Sequence, residues 1–189
     1  MTSNAPAPRP DPAEAAAIWR ALATVVDPEI PSVTIVELGI VRSVEPEGGD
    51  WVVAITPTYS GCPATRVIES DIHEALAHEA PANVRVRTVL SPPWTTDWIA
   101  PEARRKLRDA GIAPPRHGAP DAAGTAVPLQ RLHGDRDASA PTGAGGGDVA
   151  CPRCGSLRTT LVARFGSTAC KAQYRCLDCL EPFDYFKPY

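Results

Sequence analysis

No apolar run in this chain approaches the roughly 20 residues needed to cross a bilayer, so no membrane span is expected. The first ten residues, Met1 to Pro10, lack the basic start and apolar core of a secretory signal. Positive charge is also in short supply. The formal net charge is −3 and the isoelectric point is near 5.8, which argues against a chain that wraps nucleic acid as a whole. There is no internal repeat, no glycine-rich phosphate loop after a strand, and no Glu-x-x-His pair on a long helix to hold two irons. The expectation is a soluble, cytoplasmic protein with no independent active site.

What is present fits one ordinary domain plus a small module. The 189 residues are 43% apolar, enough for a real core, and the 21 prolines and 14 glycines fall in clusters. Residues 1–10 read as a disordered Pro/Ala tail. Asp11-Pro12-Ala13-Glu14 then offers a capping carboxylate, a proline suited to the first helical position and an acid three residues after the cap. Ala15, Ile18, Trp19, Leu22, Val25 and Val26 follow at helical spacing, and Pro28 and Pro31 predict a stop near Val26-Asp27. Residues 27–41 read as an ordered loop or short turn feeding a strand at about 40–46. Glu47-Gly48-Gly49-Asp50 is a hairpin signal, with Trp51 to Thr58 as the returning strand. A helix over about 63–79, an alternating strand over 83–90 and a basic helix from Pro101 to Gly111 complete an α-β-β-α-β-α order. This is an α/β domain over residues 11–112, two layers with a small mixed sheet. From Ala113 to Asp148 the apolar pattern fails, and a flexible Pro/Gly linker is expected over 113–148.

Cys62 falls on the predicted strand-to-helix turn, in Thr56-Pro57-Thr58-Tyr59-Ser60-Gly61-Cys62-Pro63-Ala64-Thr65. With Pro63 at the first helical position, the sulfur would face unpaired N–H groups, and its pKa is expected to fall. A small buried hydrophobe and a reactive or ligating thiol are both open at this point.

Four more cysteines carry the strongest signal in the chain. Cys151-Pro152-Arg153-Cys154 and Cys176-Leu177-Asp178-Cys179 are two Cys-x-x-Cys knuckles separated by 21 residues. Two such knuckles complete a tetrahedron around zinc, and four thiolates leave no open position for catalysis. A structural zinc ribbon over residues 149–189 is therefore expected. A module of that size cannot bury enough apolar surface to fold without such a staple. Cys170 is left over: a buried ribbon residue, a fifth ligand, a swap for one of the four, or a cysteine that offers iron a thiolate favoured by nearby Lys171. The aromatic end, Phe183 to Tyr189, either pads the ribbon or anchors a partner. The ribbon's six Lys/Arg against three Asp/Glu are too mild an excess to indicate nucleic acid.

Several of these stretches together resemble the PaaD (PaaJ) family of accessory proteins of bacterial phenylacetate degradation. They are Asp27-Pro28-Glu29-Ile30-Pro31, Glu37-Leu38-Gly39-Ile40-Val41, the Thr56–Ala64 stretch, Trp94-Thr95-Thr96-Asp97-Trp98-Ile99, Phe165 to Lys171 and Phe183 to Lys187. The first domain alone is similar to the wider SufT group of iron–sulfur assembly and targeting factors. The resemblance implies an auxiliary or maturation role, not catalysis, beside a multicomponent oxygenase that epoxidises the ring of phenylacetyl-CoA. Such a system has a di-iron oxygenase and a reductase carrying flavin and an iron–sulfur centre. It further implies that Cys62 is the thiol that meets iron or a transient cluster, with Asp27, Glu29, Glu37, Thr56 and Thr58 as supporting residues. Glu37 stands where an aspartate is common outside PaaD. Implied partners are the oxygenase or reductase components or the iron–sulfur assembly machinery, and a homodimer could complete a cluster site. The other implied role is a non-catalytic subunit that stabilises or couples the oxygenase, with a purely structural Cys62.

Overall fold

The computed structural model describes residues 11–79, 83–115 and 149–188. The expected tail over residues 1–10, the stretch 116–148 of the expected linker and Tyr189 lie outside the described residues. Among the described residues no helix is long and apolar enough to cross a membrane. The chain divides into two compact units, residues 1–106 and 107–189.

The first unit opens with α1, Pro12–Leu22. Asp11 caps it, its Oδ1 accepting the Ala13 N–H at 2.8 Å, and Pro12 takes the first turn as its missing N–H allows. Glu14 does not close a capping box. Its carboxylate instead accepts the Trp51 indole N–H at 2.9 Å and ties the helix to the central strand. The helix ends four residues before the predicted stop, because the Thr24 hydroxyl donates to the Ala21 carbonyl at 2.7 Å and the chain turns there. Val25 is buried as expected, but Trp19 lies outside the buried stripe of Ile18, Ala21 and Leu22.

Residues 27–41 are more ordered than their prolines suggest. β1 (Val26–Asp27) and β2 (Ile30–Thr34) form a small antiparallel pair, held at its turn by Asp27. A tight turn over 34–39 then leads to β3 (Val41–Glu47). Gly48 and Gly49, both at positive φ, connect β3 to β4 (Asp50–Ile55), with Glu47 opposite Asp50. The next helix, α2 (Thr65–Glu79), crosses back so that β5 (Val84–Thr88) pairs parallel to β4. The sheet order is β3-β4-β5.

β4 is the centre of the unit, with Trp51 through Ile55 all buried. Its alternate residues point to opposite faces, so both faces must be covered. Trp51 marks the face toward α1. On the other face, Asp50 pairs with Arg85 at 3.1 Å and Glu47 with Arg87 at 2.9 Å. The arginine stems flank Val52 and Ala54 while their charged ends stay in water, which explains the apolar/basic alternation of β5. α3 (Pro101–Asp109) ends the unit, and its first six residues lie within it.

The second unit is a four-stranded sheet of order β6-β9-β8-β7. Its strands are β6 (Ile112–Ala113), β7 (Thr159–Ala163), β8 (Lys171–Cys176) and β9 (Pro182–Phe186). β7-β8-β9 is an antiparallel ribbon, and β6 joins β9 in parallel. Ile112 and Ala113 thus sit in the sheet of this unit. One face of the sheet packs Val149, Cys151, Ala172, Tyr174, Cys176 and Phe183 around Ala113. The Tyr174 ring stacks on Phe183 at 5.9 Å and meets Tyr185 edge-on at 5.5 Å. Phe186 is buried as well. Phe183, Tyr185 and Phe186 therefore pack into the ribbon, while Tyr189 lies outside the described residues.

Candidate functional sites: a four-sulfur cluster and a half-exposed thiol

The two knuckles converge as their spacing predicts. The Cys151, Cys154, Cys176 and Cys179 sulfurs all lie within 4.8 Å of one another. Cys151 and Cys179 are 3.7 Å apart, Cys154 and Cys176 3.5 Å. A tetrahedron with Zn–S bonds of about 2.3 Å has edges of about 3.8 Å, so the donor set fits zinc in number, chemistry and size. Backbone geometry aims the sulfurs. In the first knuckle the Gly155 N–H returns to the Cys151 carbonyl at 2.9 Å, and the Cys151 N–H reaches Ser156 O at 2.9 Å. In the second, the Cys176 N–H reaches Glu181 O at 3.0 Å. The N–H groups of Cys179 and Asp178 hold the Cys176 thiol down at about 6. Cys179 receives a comparable N–H from Glu181, yet burial and the three neighbouring sulfurs push it up to about 12. Without a cation, four sulfurs this close cannot all ionise.

The residue after each second cysteine needs a left-handed backbone. Gly155 has φ 76° and Leu180 has φ 64°. Glycine adopts this freely, whereas leucine pays a steric cost of roughly 1–2 kcal/mol. Leu180 remains 59% exposed, so its side chain recovers little of that cost by burial.

Cys170 stands apart from the four-sulfur group. It is buried, its sulfur lies 3.0 Å from the Thr168 hydroxyl, and its carbonyl accepts the Lys187 N–H at 2.9 Å. Neighbouring Lys171 is also buried and pairs with Asp184 at 3.7 Å. Lys187 reaches over the Phe165 ring, 4.4 Å from its centroid.

In the first unit Cys62 lies past the end of β4 but before the start of α2. The helix begins at Thr65, and Pro63 occupies the second position of a turn closed by Thr65 N–H to Cys62 O at 3.2 Å. That position suits proline's fixed φ as well as a helical N1 does, which is why the sequence signal is ambiguous. The thiol is half-buried, and its pKa moves up, not down as the sequence predicts. Burial is the largest cause, and the Glu29 and Asp27 carboxylates add to it. The Ala64 N–H and the Tyr59 side chain favour the thiolate but are outweighed. Tyr59 is a partner missed by sequence reasoning, although it stands three residues away in the same turn.

The supporting residues divide. Asp27 is buried, and its Oδ1 accepts the N–H groups of Glu29 and Ile30, each at 2.9 Å. This turn presents Glu29 toward the thiol. Thr56 and Thr58 are both buried at the strand end. Glu37 is committed elsewhere. Its Oε2 accepts the Thr34 N–H at 2.9 Å while Thr34 Oγ1 accepts the Glu37 N–H at 3.2 Å. Its Oε1 meets Lys106 at 2.7 Å, and Lys106 and Thr34 hold its carboxyl below the usual range against the opposing effect of burial. Thr34-x-x-Glu37 is the reciprocal pattern of a capping box, used here to close a turn. The longer glutamate side chain suits that reach.

The stretch 94–100 braces the same turn. Trp94 donates its indole N–H to Leu38 O at 3.0 Å, and the Ala100 N–H donates to Glu37 O at 2.8 Å. Gly39 has φ 70°, and a Cβ there would lie 2.6 Å from Trp98 Cβ. The Arg42 guanidinium stacks on the Trp98 ring, 3.3 Å from its centroid. These two motifs are scaffold, and they fix the turn over 34–39 that follows β2.

Comparison with known proteins matches both halves. Residues 15–89 match the family model for iron–sulfur cluster assembly proteins, and residues 135–187 match the PaaD zinc beta ribbon domain. A putative 1,2-phenylacetyl-CoA epoxidase subunit of Escherichia coli (strain K12) is 48% identical over 170 residues, 90% of each chain. The chain belongs to the PaaD family. It is also similar to the Fe-S protein maturation auxiliary factor YitW of Bacillus subtilis (strain 168), 38% identical over 92 residues, 48% of this chain and 89% of that one. Among solved structures, a DUF59 domain from Bacillus anthracis is 31% identical with a TM-score of 0.45, covering 50% of this chain and 92% of that one. The solution structure of Rv1466 from Mycobacterium tuberculosis, a protein associated with [Fe-S] complex assembly and repair, is 33% identical with a TM-score of 0.32, covering 58% and 94%. Family membership and the four close sulfurs together make the second unit a metal-binding zinc ribbon.

Proposed function

We propose that this protein is a maturation factor for a 1,2-phenylacetyl-CoA epoxidase, in which Cys62 accepts iron or an iron–sulfur cluster as cargo and passes it to a component of the oxygenase. The observation that carries this reading is the setting of Cys62: a half-exposed sulfur, hydrogen-bonded by Ala64 and Tyr59, with Asp27 and Glu29 close enough to disfavour a bare thiolate. A cation changes that balance. It replaces the thiol proton, which leaves to water, and its positive charge relieves the repulsion between thiolate and carboxylates. The setting of Cys62 thus resists an unmetallated thiolate and favours a metallated one. Among the described residues only the ribbon cysteines form a group of three or more metal-ligand atoms within 4.8 Å. Clusters usually take four ligands, so the client or a second protomer would complete the site, and release to the client is built into that incompleteness. The ribbon's zinc holds the module folded. Thr56, Thr58 and Asp27 keep the turn in shape, and Glu37 acts at one remove through the braced loop.

A second reading, a non-catalytic subunit that couples the oxygenase, draws on the relative's name as an epoxidase subunit and on the exposed apolar residues of the ribbon. Production of the epoxidase with the wild-type chain, with Cys62→Ala, or with no chain separates the two. Maturation requires iron and sulfide in the client, and epoxidation activity, to fall in Cys62→Ala as far as in the absence of the chain. Full client metal content with Cys62→Ala would contradict it and favour coupling.

A further inference from the structure

β7 is an edge strand, the last in the order β6-β9-β8-β7, and among the described residues nothing pairs with its outer side. Its surface is apolar where an edge is usually blunted by charge. Leu161 and Val162 are exposed, the latter by 61%, and Phe165 just beyond the strand is 68% exposed. The register slips between Leu161 and Ala163, so Val162 sits on a bulge. An open groove of about 300 Å³ lies inward of this edge, lined by Val162 and by Gln173, Tyr174, Pro182, Phe183 and Asp184 of β8 and β9.

The charge around this edge has one sign left over. Arg158 precedes β7, Arg164 follows it, and Arg175 stands opposite Thr160 on β8. Asp178 is taken by Arg158 at 2.5 Å, and Asp184 by Lys171 at 3.7 Å. Among the described residues no carboxylate forms an ion pair with Arg164 or Arg175.

We propose that the outer edge of β7 is the client-docking surface, and that it takes an extended segment of a protein client in which apolar and acidic residues alternate. Such a segment adds a fifth strand by main-chain hydrogen bonds, seats apolar side chains on Leu161, Val162 and Phe165, and sets its carboxylates against Arg164 and Arg175. A second copy of this chain fits poorly. Antiparallel self-pairing centred on Leu161 would bring Arg158 of each copy to Arg164 of the other, and parallel pairing would stack like on like. The inference rests on the reading of the protein as a client-serving factor and specifies the client's chemistry.

The test places a photo-cross-linking side chain at Val162 in the full-length protein and irradiates it with the purified remaining components of the epoxidase. A cross-link to an extended acidic segment of one component is expected. Cross-linking to a second copy, or none although the protein co-elutes with a component, would overturn the docking edge and leave the maturation role standing. Failure to co-elute, with client iron and sulfide unaffected by the wild-type chain, would fell both. Arg164→Glu should weaken the association by about tenfold at low salt, with zinc content and melting temperature unchanged, and Arg164→Lys should restore most of it. Equal affinity in wild type and Arg164→Glu would contradict the charge pairing.

Discussion

Cys62 stands on a half-exposed turn with two carboxylates facing it, whereas Cys151, Cys154, Cys176 and Cys179 bring four sulfurs within 4.8 Å of one another. The ribbon brings its ligands together, so that one divalent cation offsets half of their charge and stabilises all four as thiolates. Around Cys62 the fold instead supplies negative charge and partial burial, and leaves the ligand set open. The first arrangement suits a resident metal; the second suits the cargo role proposed for Cys62. The two units differ in charge in the same sense: the described residues of the first, up to Lys106, hold fourteen Asp/Glu against eight Lys/Arg, and those of the second, from Leu107, hold four against seven. The proposed cation-accepting site thus lies in the acidic part of the chain and the proposed docking edge in the basic part.

The largest effect should come from breaking the four-sulfur set. Structural zinc contributes roughly 10–16 kcal/mol in small metal-dependent modules, so Cys151→Ser should release zinc and unfold β7, β8 and β9. Amide exchange in β3, β4 and β5 should stay as in the wild type. Loss of protection in both units together would show that the comparison is false and the chain folds as one body.

The knuckles offer a smaller, internal contrast. Gly155→Leu should destabilise the ribbon by about 1–2 kcal/mol, since leucine is forced into a left-handed backbone. Leu180→Gly should cost nothing or stabilise slightly, because it removes the same strain. Thermal unfolding of the zinc-loaded protein reads both. A marked loss of stability in Leu180→Gly would mean that the exposed leucine packs in a way its 59% exposure does not suggest.

Cys62→Ala removes a half-buried thiol with no fold to hold together, and should shift stability by less than about 1 kcal/mol. Smaller still is the electrostatic effect of Glu29. Since burial and the carboxylates raise the Cys62 pKa, the thiolate fraction at neutral pH lies below that of a free cysteine and grows only as pH rises. Glu29→Gln takes away one of the negative charges, lowers that pKa and should speed alkylation at pH 7–8 by about twofold or more. An unchanged rate would mean that burial alone sets the reactivity.

Much of this was legible from residue type and spacing. The knuckles declared the ribbon because Cys-x-x-Cys has few other uses at that spacing. Glu47-Gly48-Gly49-Asp50 declared its hairpin because positive φ leaves little choice of residue. What the sequence obscured were effects decided at long range. Glu14 abandons a local cap for the indole of Trp51, 37 positions away. Glu37 is drawn off by Lys106, 69 positions away, and so braces a loop instead of facing the thiol. The Cys62 pKa runs opposite to the local rule because burial outweighs the nearby N–H group, and Glu29 and Asp27, remote in sequence, add to it. The pair β1–β2 was hidden because prolines at 28 and 31 flank a turn that Asp27 stabilises through its side chain.

The account stands or falls on the division of labour between the cysteines. The most direct measurement is the zinc, iron and acid-labile sulfide content of wild type and Cys62→Ala after anaerobic reconstitution with ferrous iron and sulfide. The account predicts about one zinc per chain in both proteins, with iron and sulfide retained by the wild type and lost from Cys62→Ala. Equal iron and sulfide in the two proteins, or iron in place of zinc at the four ribbon sulfurs, would contradict it.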